Sequence, residues 1–333
     1  MNRVGPVLGA LWKATRRGQE SLLKFPANNL YYAAVAFLFM LDPTVIVFVG
    51  IIVGIVVFFP LSADPLRRIP QSRFQLWPLE RGERRLMRAL SPWLNPMTWI
   101  VLAFALWRKI SAGLGALAAG LFVLTFAADW RPRGQGTARG LIPRLPAPLG
   151  ELIRKDLRDL VRTLDFYCAL VVGGAAAVYR LAGLLPPDAY LPVTLLTVLA
   201  LSTCAQTLFG LDGRAGMTRY RLLPIRGWQM LLAKDIAFLS IAVLLTLTSD
   251  PLAGLAAGMA ALALARKAAV RETRHQMRWR LQAGTEFGVA LVQMMALIGA
   301  ASVVHLSRWF LLAAAAVWVF SLWWGGRELE RAH

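Results

Sequence analysis

The chain is poor in acidic residues: 18 Asp and Glu stand against 37 Lys and Arg in 333 residues, a formal net charge of +19. It has two cysteines, Cys168 and Cys204, too few for a disulfide framework, and both fall in apolar runs where a thiol acts as a small buried hydrophobe. Its three histidines, His275, His305 and His333, are scattered, so no metal site is visible. No G-x-x-x-x-G-K-[ST] occurs, and no glycine is followed by lysine, which excludes the phosphate-cradling loop of an ATPase. Alternating ten-residue segments are missing, which argues against a membrane β-barrel. No short apolar core with a small-residue cleavage site follows the N-terminus, so no signal peptide is expected.

What is abundant is apolar length. Hydrophobic residues make up 57% of the chain, above the roughly 45–50% of soluble domains. Apolar runs recur from Leu30 to Gly325, each near the roughly 20 residues that span a bilayer as a helix. The expected fold class is an all-α polytopic membrane protein of about ten transmembrane helices. In a soluble protein the positive charge would suggest nucleic acid; here it marks cytoplasmic loops, and no nucleic-acid partner is expected.

The organisation follows from the breaks. Residues 1–29 carry Leu8, Leu11 and Trp12 beside Lys13, Arg16 and Arg17, the pattern of an amphipathic helix in the membrane interface, in contact with lipid. Two spans are expected in 30–61, turned at Asp42-Pro43, and two more near 93–107 and 110–128. A Pro/Gly/Arg-rich linker covers 129–148 and separates an N-terminal half, 1–128, from a C-terminal half, 149–333. Leu149–Leu164 reads as a second interface helix. Spans are then expected near 165–184, 190–210, 229–247, 252–265, 285–304 and 308–324. With both termini in the cytoplasm, 33 of the 37 Lys and Arg fall on cytoplasmic segments, as the positive-inside rule requires. Arg108-Lys109 is a local violation. The expected location is the cytoplasmic (inner) membrane.

Two segments break the apolar pattern in the same way. RFQLWPL from Arg73 aligns with RYRLLPI from Arg219 at an offset of 146. Arg81-Gly82 then matches Arg226-Gly227 after a one-residue gap, and LGALWK at Leu8 resembles LGELIRK at Leu149. The chain therefore reads as two repeats, of four and six spans. Each opens with an interface helix and contains a basic proline segment, 73–90 or 219–234. Pro78 and Pro224, lacking an N–H, suit a helix start. The apolar side chains around each proline form a knob with a charged rim, which suits a soluble partner or lipid headgroups.

The second segment resembles the cytoplasmic coupling segment of type-2 ABC exporter permeases: Leu222-Leu223-Pro224-Ile225-Arg226 and Lys234 stand in its places, and Leu208–Gly213 resembles the end of the preceding span. The resemblance covers the second half, and the motif is degenerate. It implies the permease subunit of an ABC exporter. The interface helices would be elbows. A separate ABC ATPase, acting as a dimer and carrying ATP-Mg, would dock on Leu222, Leu223, Pro224, Ile225, Arg226 and Gly227, and on Leu76, Trp77, Pro78, Leu79, Arg81 and Gly82 in the first repeat. A usual permease has six spans and one such segment, so this chain departs from the family. Either a homodimer or a single-chain pseudo-dimer follows.

Two rival readings remain open. A membrane-embedded lipid-phosphate enzyme needs clustered carboxylates; Asp212-Gly213-Arg214-Ala215-Gly216 faintly resembles such a motif, without further Asp at helical spacing. A membrane scaffold would use the segments to recruit a partner without transport. No catalytic residue, metal or cofactor bound by this chain is expected. Gln206 and Gln293 are the deepest polar residues, candidates for a bond between helices or for a substrate path. Asp165 and Asp235 suit the positive starts of helices; Asp42, Asp188 and Asp250 suit outer turns. Trp93, Trp99, Trp107, Trp309, Trp318, Trp323 and Trp324 read as interfacial anchors.

Overall fold

The computed structural model describes residues 4–17, 77, 79–90, 94, 149–161, 163–212, 220, 225–271 and 287–331. Among them every regular element is helical. They fall in two compact units, one holding α1 (Val4–Arg17) and α2 (Arg81–Leu90). The other holds α3 (Leu149–Leu160), α4 (Leu164–Leu181), α5 (Tyr190–Gln206), α6 (Gly227–Thr246), α7 (Pro251–Arg271), α8 (Phe287–Leu306) and α9 (Phe310–Arg331). The four spans expected within 30–61 and 93–128, and the linker 129–148, lie outside the described residues.

In the first unit, α1 presents Val4 and Leu11 to Leu79 and Met87, and Trp77 packs against this cluster. The amphipathic stripe read from the sequence is therefore covered by the proline segment, while Trp12 and Lys13 stay exposed. The backbone N–H of Glu80 donates to Glu83 Oε2 at 3.1 Å, giving an N–H ahead of α2 a partner. Arg84 Nη2 donates to the Trp77 carbonyl at 3.1 Å, so this segment is tied back on itself.

The second unit is a bundle of six long helices entered by α3. Five segments are each long and apolar enough to cross a membrane: Pro187–Gln206, Gly227–Thr246, Pro251–Val270, Gly288–Leu306 and Phe310–Arg331. A sixth follows if α3 and α4, bent by 82° at Val161–Leu164, count as one. The protein is thus an α-helical, multi-pass membrane protein. The bend has a local cause. Thr163 is in an extended conformation and its hydroxyl accepts from the Phe166 N–H at 3.2 Å, capping α4 afresh. Asp165 stands in the first turn of α4, as expected for a carboxylate at a helix start. The other end of α4 closes in a Schellman motif. Gly183 takes φ 70°, and the Leu184 and Gly183 amides donate to the Tyr179 and Arg180 carbonyls at 2.8 and 3.0 Å.

α5 is the central helix, with every residue from Val193 to Gln206 buried. Its hydroxyls are absorbed within the chain; those of Thr197 and Ser202 donate to the Val193 and Leu199 carbonyls at 2.9 and 2.8 Å. α9 is peripheral, exposing Leu312, Val317, Val319, Phe320, Trp323 and Trp324, an outer surface suited to lipid tails. Its last turns approach the start of α6 closely. A Cβ on Gly227 would lie 2.7 Å from the Gly326 carbonyl oxygen, and one on Gly326 would lie 2.8 Å from Trp228 Cβ. The Gly227 N–H also reaches Glu330 Oε1 at 3.3 Å.

Candidate functional site

α6 begins at Gly227, inside the second proline segment, and two consecutive residues on it, Lys234 and Asp235, anchor the polar structure of the bundle. Both are buried, and successive positions on a helix face away from each other.

Lys234 reaches the α3 side. Its Nζ lies 2.8 Å from Asp212 Oδ2 and donates to Asp156 Oδ1 and the Leu208 carbonyl, both at 3.2 Å. The ammonium group is thus ion-paired to Asp212 and hydrogen-bonded to two further oxygens. Lys155, on α3, donates to Asp212 Oδ1 and, at 2.9 Å, to the Tyr220 hydroxyl. The Tyr220 hydroxyl in turn donates to Asp212 Oδ1 at 3.0 Å. The Lys234 ammonium also faces the rings of Phe209 and Tyr220, 5.0 and 5.5 Å from their centroids, and those rings meet edge to face.

Two ammonium and two carboxylate groups are thus gathered in a neutral cluster. It joins α3 (Lys155, Asp156), the turn after α5 (Leu208, Asp212), Tyr220 and the first turns of α6 (Lys234). Burial works against ionisation of Asp212, but Lys234 and then Lys155 outweigh it and hold its carboxyl below the ordinary carboxylate range. Burial pushes the Tyr220 hydroxyl up, so it stays a donor. Beneath the charges lies an apolar bed of Phe209, Tyr220, Met230, Leu231, Ala269, Leu322 and Leu329, with Leu152 and Ile225 packed on it.

Asp235 reaches the other side. Arg266 on α7 grips it with both Nη atoms, at 2.9 Å to Oδ1 and 2.5 Å to Oδ2, and Trp318 Nε1 on α9 donates to Oδ2 at 2.8 Å. Two expectations change here. Asp235 sits in the third turn of α6 and serves a buried bidentate pair rather than a helix start, because α6 begins at Gly227. Trp318 is a hydrogen-bond donor to that pair rather than an interfacial anchor. Arg266, expected in a cytoplasmic loop, is buried because α7 continues to Arg271. Exposed Trp309, Trp323 and Trp324 fit the anchor reading.

Gln206 and Gln293 come together, fully buried. Gln206 Nε2 donates to Gln293 Oε1 at 2.5 Å, and Gln293 Nε2 donates to the Ser202 and Ala261 carbonyls at 3.1 and 2.9 Å. The pair joins α5, α7 and α8. At the far end of α6, Asp250 caps α7 through the Ala253 N–H at 3.0 Å, a turn role as expected. It also meets His305 Nδ1 at 2.7 Å, which groups two residues that looked unrelated in sequence.

Of the proposed docking residues, Leu76, Pro78, Leu222, Leu223 and Pro224 lie outside the described residues. Leu79 is buried and Trp77 half-buried against α1. Arg81 opens α2, and Gly82 is exposed. Ile225 is half-buried, Arg226 is exposed, and Gly227 is the buried first residue of α6. The Arg226 N–H donates to Gln229 Oε1 at 2.9 Å, the counterpart, at the same offset of 146, of the Glu80–Glu83 bond. Sequence reasoning missed the Lys155–Asp156–Asp212–Tyr220–Lys234 cluster. The available signal was the presence of acidic residues beside basic ones at the edges of apolar runs.

Fold and cluster define a multi-pass helical membrane protein whose polar interior is organised around the start of α6. No family model, curated protein or solved structure matches the chain.

Proposed function

We propose that the chain is the permease subunit of an ABC exporter, moving a substrate outward on power from separate ATPase subunits that dock on its proline segments. The observation that carries this reading is the cluster joining the C-terminal segment, at Tyr220, to both the interface helix α3 and the span α6. A segment wired to two elements in this way can convert a push from a cytoplasmic partner into movement of a span. Exposed Arg226 beside half-buried Ile225 suits the rim and knob of a docking point.

The finer architecture belongs to the same reading: about ten spans in repeats of four and six, both termini in the cytoplasm, and residence in the inner membrane. Two parallels support the duplication. In each unit a leucine of the interface helix, Leu11 or Leu152, joins the same apolar cluster as the aliphatic residue after the proline, Leu79 or Ile225. In each, the next residue's N–H is capped by the side chain three positions on. ATP-Mg would be held by the ATPase. Gln206 and Gln293, joined across α5 and α8, would seal a substrate path in this state and open it when the helices part.

The enzyme reading gains nothing from Asp212, whose two oxygens face Lys155, Lys234 and Tyr220 rather than an open cation site. The test is co-purification with the ATPase encoded beside the gene. Tagged full-length protein in detergent should bring that ATPase down, and Arg226→Glu should reduce the yield severalfold, most at low salt, as expected for reversal of a rim charge. Absence of the ATPase from the wild-type eluate overturns the proposal.

A further inference from the structure

α9 has two faces of different chemistry near its C-terminal end. Leu322, Gly325, Gly326 and Leu329 are buried, and the two glycines let α9 close on α6 and α7. A Cβ on Gly325 would lie 2.7 Å from Arg266 Cγ, and one on Gly326 would lie 2.8 Å from Trp228 Cβ. On the opposite side, Phe320, Trp323, Trp324 and Arg327 follow the spacing i, i+3, i+4, i+7, so they share one face of the helix. All four are exposed. The Phe320 ring lies 6.0 and 6.2 Å from those of Trp323 and Trp324, and the Arg327 guanidinium stands 3.8 Å from the centroid of the Trp323 ring. Three rings and one cation form a continuous surface at the end of α9 that meets the start of α6.

A guanidinium stacked on an indole is held by its flat face, which leaves the N–H donors around its edge for other partners. In Arg327 those donors make no hydrogen bond or ion pair with the described residues. Of the carboxylates on the same turns, Glu330 accepts from the Gly227 N–H at 3.3 Å, and neither it nor Glu328 pairs with Arg327. Such a fork of donors suits a phosphate. Phe320 lies roughly 10 Å from Arg327 along the helix axis, seven residues at the helical rise. That length carries the surface from a headgroup layer into hydrocarbon. A free phosphate would use the fork and leave the rings idle; a phospholipid uses both. We propose that Phe320, Trp323, Trp324 and Arg327 bind one anionic phospholipid, its phosphate on the guanidinium and its glycerol and first methylenes on the rings. A zwitterionic lipid carries a cation beside its phosphate, which Arg327 repels, so the site selects an anionic headgroup. The opposite face of α9 packs on the first turns of α6, so the bound lipid braces that junction from outside. The site needs no ATPase and stands apart from the permease reading.

Full-length protein purified in detergent is titrated with phosphatidylglycerol or phosphatidylcholine, and retained lipid is counted by native mass spectrometry. Wild type should retain phosphatidylglycerol in preference to phosphatidylcholine. Arg327→Gln should lower phosphatidylglycerol retention about fivefold, the worth of one basic residue at an anionic surface. Its unfolding temperature in lipid-free detergent should be unchanged, because the side chain is exposed. Arg308→Gln, at an exposed arginine just before α9, should retain the lipid as wild type does. Trp323→Ala should lower retention of both lipids. Phosphatidylglycerol should also raise the unfolding temperature of wild type more than that of Arg327→Gln.

Equal retention of phosphatidylglycerol by wild type and Arg327→Gln overturns the site. An equal loss in Arg308→Gln does the same, since it would mean general attraction to a basic protein. Displacement of the lipid by inorganic phosphate at equal concentration would make the fork a free-phosphate site and sinks the lipid assignment. A wild-type dimer in light scattering that Trp324→Ala converts to a monomer would put a second copy of the chain on this face, with the same consequence.

Discussion

Lys234 and Asp235 are neighbours in sequence with separate partners, and each would be costly to strand. Asp235 is fully buried, and its charge is met by Arg266 and the Trp318 N–H. Removing one member of such a pair leaves an uncompensated buried charge, typically about 3–5 kcal/mol. Arg266→Met is therefore expected to lower the thermal unfolding temperature in detergent sharply. The double variant Arg266→Met/Asp235→Asn should recover much of the loss, since it removes both charges. Asp212 gives a pH dependence with a definite sign. Its folded carboxyl is held below the ordinary value, which is near 4 for a free carboxylate. The stability it contributes is then fully present above that ordinary value and is lost as pH falls through the folded one. Unfolding temperature measured from pH 7 down to pH 3 should fall on the acid side, and Asp212→Asn should start lower at neutral pH and show a shallower acid slope.

At the scale of elements, helices meet at positions where a side chain would not fit. The start of α6 and the end of α9 touch through Gly227 and the Gly326 carbonyl. Gly227→Ala forces a shift of backbone against backbone, and overpacking of this kind costs typically about 1–3 kcal/mol. It should lower the unfolding temperature more than Gly82→Ala, whose new Cβ would meet nothing within 4 Å. The Gln206–Gln293 bond is the corresponding tie in the middle of the bundle, joining α5 to α8. Hydrogen bonds between helices in a membrane are worth roughly 0.6–2 kcal/mol, so Gln293→Leu should destabilise the protein modestly, measurable by thermal unfolding. A substrate-path role would add a change in transport or ATPase rate beyond that loss.

For the whole molecule, orientation is the property that charge predicts and a membrane experiment can check. Cys168 and Cys204 are free and buried, which makes the wild-type background poorly reactive towards thiol reagents. A single Arg226→Cys should react with a membrane-impermeant maleimide only after cells are opened, and Leu184→Cys, in the turn after α4, should react on intact spheroplasts. The reverse pattern would overturn the orientation given by the basic segments. The six helices α4–α9 lie where uninterrupted apolar length predicted spans, and α3 lies where an amphipathic stripe predicted an interface helix. Boundaries moved where a charge proved to be internal: the apolar run near 252–265 ends at Arg266, yet α7 runs through it because Asp235 neutralises the guanidinium.

Length and periodicity are local quantities, set by the cost of placing backbone and charge in hydrocarbon, and they determined the class of protein and, among the described residues, the long apolar helices α4–α9. The proline segments and their likeness were also visible in sequence, since they consist of short runs of consecutive residues. Tertiary structure decided which polar residues meet. Lys155 lies 57 residues before its partner Asp212, and Arg266 and Trp318 lie 31 and 83 residues after their partner Asp235. No periodicity of one helix encodes a partner on another. Those pairings appear only when packing excludes water and each buried charge must find its complement within the protein.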